Sequence, residues 1–123
     1  MRNATEITIV GNLTADPELR YTGSGRPVAS IRVACSDRVL NEESKKWEDG
    51  PVSFYTVVAW GQLAEHLVEV LQRGDRLVAE GRWTQQSWTD KDQQVQERVV
   101  LTARDAGPSL QFKLARIERK REA

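Results

Sequence analysis

An alternation of period two runs through most of this chain, and one short stretch of helical period interrupts it. Ile7, Ile9 and Gly11 alternate with Thr8, Val10 and Asn12, the pattern of a mostly buried strand opened by Thr5-Glu6. Ala29, Ile31, Val33 and Cys35 alternate with Ser30, Arg32, Ala34 and Ser36, which predicts a half-buried strand. Between them, Asp16-Pro17 and Gly23-Ser24-Gly25-Arg26-Pro27 carry turn chemistry. The polar residues 41–51 predict a hairpin loop, and residues 52–60 a β-rich run. Strands resume over residues 76–88 and 95–104, joined by the polar tip Thr89-Asp90-Lys91-Asp92-Gln93. Gly107-Pro108 breaks the pattern before Leu110, Phe112 and Leu114 alternate into a final short strand.

The helical stretch follows Gly61. Leu63, Leu67, Val70 and Leu71 recur at helical spacing, while Glu65, His66 and Glu69 fall mostly on other faces. Arg73 is expected in the last turn and Gly74 as the C-cap. The order is strand, strand, strand, helix, strand, strand, with a late extra strand. This predicts an all-β chain with one helix: a five-stranded OB-fold barrel with its helix between strands 3 and 4. The expected division is residues 1–106 as the barrel domain, with residues 107–123 as a C-terminal strand and a short basic end.

At 123 residues the chain can build one core, and no apolar run approaches the roughly 20 residues that span a bilayer. The first residues lack the apolar stretch of a signal peptide, so a cytoplasmic location is expected. The formal net charge is zero, which disfavours a binder driven by one large positive field. Local charge differs from that sum. Lys113, Arg116, Arg119, Lys120 and Arg121 face only Glu118 and Glu122, so the end of the chain is basic.

Nothing in the sequence assembles a reaction centre. His66 is the only histidine and reads as a solvated helix residue. One His and one Cys cannot form a familiar zinc site, so neither a metal nor a cofactor is expected. Cys35 fits a small packed hydrophobe or, in an oligomer, a bridge to its symmetry mate. Gly23-Ser24-Gly25 has neither the third glycine nor the following helix of a phosphate loop.

The four tryptophans carry more information. Proteins that hold single strands stack bases on aromatic rings while basic side chains follow the backbone. Trp83 shares a face with Leu77, Ala79 and Gly81 and is expected in the core. Trp88 shares the polar face with Glu80, Arg82, Thr84 and Gln86 at a hairpin tip, which favours stacking. Phe54, Thr56, Val58 and Trp60 share one face, and for Phe54 and Trp60 the pattern allows a core or a stacking role. Trp47, beside Lys45 and Lys46, fits either a flexible clamp or a ring folded down on the barrel. Arg32, Arg73 and Arg82 are candidate phosphate contacts.

Several segments resemble the bacterial single-stranded-DNA-binding family. They are Ile9-Val10-Gly11-Asn12-Leu13, Asp16-Pro17-Glu18-Leu19-Arg20-Tyr21, Gly25 with Val28-Ala29, Trp60-Gly61-Gln62-Leu63-Ala64-Glu65, Leu71-Gln72-Arg73-Gly74, Glu80-Gly81-Arg82 and Trp88-Thr89-Asp90. Gly107-Pro108-Ser109-Leu110 and the strand after it resemble the actinobacterial branch, where an added strand clamps neighbouring subunits.

The resemblance implies an OB-fold homotetramer that wraps single-stranded DNA without sequence preference during replication, recombination and repair, with no catalytic activity. It puts stacking positions on Phe54, Trp60 and Trp88, while one further family aromatic falls on Val39. Thr56, Gln62, Thr84, Gln86 and Ser87 stand where the family is commonly basic. Reduced affinity and a flatter salt dependence are therefore expected, as in a secondary paralogue in the nucleoid. The chain stops at Arg119-Lys120-Arg121-Glu122-Ala123 without the family's acidic-hydrophobic tip, so recruitment of tail-dependent replication and repair partners is not expected. Two other readings follow from the residues: an OB barrel that binds proteins during replication restart, and a small enzyme dependent on His66.

Overall fold

Alternating sequence becomes alternating burial in the computed structural model, which describes residues 6–119. Ala29, Ile31 and Val33 on one strand and Val57 and Ala59 on its neighbour are fully buried, whereas Ser30 and Arg32 point the other way. The elements are β1 (Glu6–Leu13), β2 (Glu18–Tyr21), β3 (Pro27–Asn41), β4 (Lys46–Trp60), α1 (Gln62–Val70), β5 (Arg76–Thr89) and β6 (Val95–Pro108). Thr5, expected at the opening of β1, and Lys120–Ala123 of the basic end lie outside the described residues.

The sheet order is β1-β5-β6-β4-β3-β2, and a further pairing of β1 with β3 closes five of these strands into a ring. The closure runs through Asn12↔Ala34 and Leu13↔Val33. β4 and β6 pair in parallel, at Val57↔Leu101 and Val58↔Thr102, while the other ladders are antiparallel. Within the ring the helix falls between the third and fourth strands, as expected of an OB-like barrel. β2 was not anticipated: a four-residue strand, it hangs on the edge of β3 outside the ring. Leu19 is its half-buried residue that packs on the core.

Two close backbone approaches shape the barrel. Gly11 lies against Ala34, where a Cβ would come within 2.6 Å of the Ala34 carbonyl oxygen. Gly81 sits beside the irregularity in the β5–β6 ladder, and a Cβ there would overlap the Thr102 carbonyl. Both positions need a residue without a side chain.

The helix departs from its expected form. It ends at Val70, and Leu71 turns extended with its N–H bonded to the Leu67 carbonyl at 3.0 Å. Leu71 thereby drops its side chain into the core at 4% exposure, whereas Val70 faces outward at 58%. The buried stripe is Ala64, Leu67 and Leu71, supported by Leu63 and Val68. Arg73 and Gly74 therefore follow the helix instead of ending it. Gly74, at φ 89°, makes the turn into β5 and donates its N–H to the Leu13 carbonyl.

Three further expectations are corrected. The polar loop shrinks to residues 42–45, and β3 and β4 continue on either side as a long two-stranded arm. The Asn41 side chain accepts hydrogen bonds from the Glu43 and Ser44 amides, which folds the turn tightly enough for the ladder to reach Asn41↔Lys46. β6 runs through Gly107 to Pro108, so that dipeptide does not break the strand. Leu110, Phe112 and Leu114 form no strand. A strand needs a partner for its N–H and C=O groups, and these residues join no ladder among the described residues. The segment is instead tied to the start of β5 by the Ser109 amide on the Arg76 carbonyl and by the Lys113–Asp75 ion pair at 3.3 Å.

Candidate nucleic-acid interface

Register decides which side chains share the outer surface of the barrel. Directly paired residues point the same way, so Trp60, Val58, Thr56 and Phe54 of β4 stand beside Val28, Ser30, Arg32 and Ala34 of β3. Across the parallel pairing, Val58 lies next to Thr102 of β6. From there Val100, Arg98 and Gln96 continue the surface, opposite Thr84, Gln86 and Trp88 of β5. One continuous face thus runs from Trp60 and Phe54 across β6 to Trp88.

The rings on it are accessible. Phe54 is 56% and Trp88 46% exposed, and Trp60 is half-buried. Trp83, on the opposite side of β5, packs on the core and on Tyr55, as its alternation predicts. Phe54 and Trp60 therefore belong to the outer surface, although their pattern also allowed a core position.

Each outer ring carries a guanidinium. The Arg26 guanidinium carbon is 4.5 Å from the Trp60 ring centre, that of Arg32 is 5.4 Å from Phe54, and that of Arg98 is 5.6 Å from Trp88. Trp60 faces Val28, Phe54 faces Ala34 and Trp88 faces Gln96. Arg32 stands two residues before Ala34 on β3 and Arg98 two residues after Gln96 on β6, while Arg26 lies in the turn just before β3, two residues ahead of Val28. Such diagonal neighbours are within reach of long side chains and aromatic rings. At an exposed site each contact is worth about 0.5–1 kcal/mol.

Between these pairs the surface dips into a cleft of about 280 Å³. Val58, 2% exposed, forms its floor, and Ser30, Arg20, Gln86 and Arg98 line it. Arg20 leans on Glu18 at 3.3 Å, an exposed pair that water and salt screen strongly.

The remaining sequence candidates are dispersed. Arg82 reaches the same face, opposite Thr102, but its partner on β1 is Glu6. Arg73 lies in the loop after α1, where its N–H donates to Asp16 at 2.8 Å, apart from the ring-bearing strands. Trp47, Lys45 and Lys46 gather at the end of the β3–β4 arm. Trp47 pairs with Leu40 in the ladder and is 61% exposed, so it is neither in a loose loop nor folded onto the barrel. Seven residues along β4 separate it from Phe54, about 23 Å of strand. Lys45 pairs with Glu42 at 3.6 Å.

The sequence reading missed Arg26 and Arg98. Arg26 sat inside a glycine-proline turn and Arg98 among the polar residues of a hairpin. Their relation to the rings exists only once the register is known. The β5–β6 register was within reach, because the short Asp90 tip fixes which residues face each other.

That tip is firmly built. Asp90 accepts hydrogen bonds from the Asp92 and Gln94 amides and from the Gln96 side chain. The bond from the Gln94 amide, followed by that from Gln96, holds its carboxyl below the usual carboxylate value. Arg104 is engaged away from the rings: its hydrogen bond to Glu80, then the charges of Glu80 and Glu6, push its guanidinium further up. Among the described residues no group of His, Cys, Asp and Glu could hold a metal ion, and no helix is long and apolar enough to cross a membrane.

Comparison with known proteins places the chain among relatives. The profile described as the single-strand binding protein family matches residues 4–112. A protein named single-stranded DNA-binding protein from Corynebacterium glutamicum is 42% identical over 115 residues, 94% of this chain and 51% of that protein. One of the same name from Bifidobacterium longum is 42% identical over 98% of this chain and 55% of its own length. The chain thus spans about half the length of these two relatives. The crystal structure of the small single-stranded DNA-binding protein from Streptomyces coelicolor superposes with a TM-score of 0.73 at 30% identity, covering 89% of this chain and 97% of that one.

Proposed function

The chain belongs to the single-strand binding protein family, and on that premise we propose that it binds single-stranded DNA by stacking bases on the outer face of its barrel. The observation that carries this reading is that exposed Phe54 and Trp88 and half-buried Trp60 share one continuous outer face lined by arginines. Every base has a flat π surface, so rings on such a face bind sequence-tolerantly, at about 1–3 kcal/mol per stacked base. In this reading Arg32 and Arg82 follow the phosphates, and Trp47 with Lys45 and Lys46 extends the contact along the β3–β4 arm. Arg73 contributes from the loop after α1 to a strand that wraps the barrel.

We assign the working form as a homotetramer, the assembly that the resemblance implies, acting without catalysis in replication, recombination and repair in the nucleoid. Titration with oligothymidine, followed by tryptophan fluorescence, tests the reading. Strong quenching that weakens in Trp88→Ala is expected. Unchanged fluorescence, with no complex in sedimentation, would refute it.

A further inference from the structure

Three outer rings, each with a guanidinium over it, imply more than a row of platforms. A guanidinium 4.5–5.6 Å from a ring centre occupies the layer into which a stacked base must come. A base cannot take that side of Trp60 or Trp88 while Arg26 or Arg98 remains over it. An arginine side chain is long and flexible, and its planar fork matches a phosphate. We propose that Arg26 and Arg98 are exchange residues: each covers its ring in the free protein and moves to a backbone phosphate when a base takes the ring. This inference rests on the single-strand-binding reading above and adds two residues to it.

The surroundings support the exchange. Arg98 lines the cleft floored by Val58, and its Nε donates to Gln86 at 3.2 Å, an exposed neutral contact that water can replace. Arg26 adjoins Pro27 at the start of β3, next to the strand that bears Trp60. Both add charge on a face where Thr56, Thr84 and Gln86 are neutral. The expectation of weak phosphate binding counted those neutral positions and left Arg26 and Arg98 out.

The exchange has a signature that a fixed phosphate contact lacks. Removing the guanidinium loses a phosphate contact but leaves the ring open. Low salt, where phosphate contacts matter most, then penalises the variant, while high salt favours it.

The test titrates oligothymidine into the full chain from low to high salt, comparing wild type, the double variant R26Q/R98Q and the double variant R26K/R98K. For R26Q/R98Q the log–log salt slope should become shallower by about 1.4, from two contacts at about 0.7 each on single strands. Its binding should be several-fold weaker at low salt and should equal or exceed wild type at high salt, so the two curves cross. R26K/R98K keeps both charges and should keep the wild-type slope. An unchanged slope in R26Q/R98Q, or a shallower slope whose curve approaches that of wild type at high salt without crossing it, would overturn the exchange and leave the stacking face standing. A wild-type chain that fails to bind oligothymidine would overturn the stacking reading, and the exchange with it.

Discussion

The rings of Tyr55 and Trp83 meet on the inner side of the barrel, with centres 5.5 Å apart and planes tilted by 38°. Trp83 and Trp88 lie on one strand, yet the first packs on the core and the second stands 46% exposed on the outer face. Replacing each by alanine should separate stability from binding. Trp83→Ala is expected to cost about 3 kcal/mol, the low end for a large aromatic side chain because this one is only partly buried. Trp88→Ala should change stability by only about 0.5–1 kcal/mol, the worth of its contact with Arg98. It should weaken oligothymidine binding by about 1–3 kcal/mol, the worth of one stacked base. Urea melts and fluorescence titrations of the two variants read both quantities.

Gly81 supplies a second contrast. A Cβ at this position would overlap the Thr102 carbonyl, which is backbone and cannot rotate away. Gly81→Ala is expected to destabilise the barrel by about 1–3 kcal/mol through overpacking, seen as a lower urea midpoint. Gly23, with open space around it, should accept alanine with a change below about 0.5 kcal/mol.

The ring of strands was legible because Ile9, Ala29, Ile31, Val33, Leu77 and Ala79 repeat at period two and are all buried. Other features depend on backbone pairing, which side-chain patterns do not encode. In Glu18-Leu19-Arg20-Tyr21 only Leu19 packs on the core, too little for a period to show. The β3–β4 arm is polar along much of its length and is strand because its ladder continues to Lys46. Leu110, Phe112 and Leu114 carry the alternation of a strand and pair with none among the described residues. Phe54, Trp60 and Trp88 could be chosen from the sequence, but the arginines over Trp60 and Trp88 became visible only through cross-strand register.

The helix offers a test of how far its pattern could be trusted. Leu67 and Val70 both satisfy a helical repeat, yet Leu67 is 2% exposed and Val70 58%. Leu67→Ala should cost about 2–5 kcal/mol, as truncations of buried leucines do. Val70→Ala should fall within about 0.5 kcal/mol of wild type. Equal losses in the two denaturation curves would mean that α1 is rotated relative to the barrel.

Asp90 gives the β5–β6 hairpin a dependence on pH. Its folded-state carboxyl titrates below the ordinary value of 3.8, because the Gln94 amide and the Gln96 side chain hydrogen-bond to the charged form. A carboxyl lowered in this way contributes its full stabilisation above the unfolded value. The contribution is lost as pH falls through the lower, folded value, where the carboxylate takes up its proton. The tip should therefore hold unchanged through neutral and mildly acidic solution and loosen only in strong acid. Amide exchange at Asp92 and Gln94 reads this directly: protection should fall as Asp90 protonates. Asp90→Ala should exchange fast at every pH, with the acid-dependent step gone. Since Trp88 stands two residues before Asp90 on the same hairpin, that variant should also bind oligothymidine more weakly at neutral pH. Full amide protection in Asp90→Ala would show that the ladder alone, without this carboxylate, holds the tip.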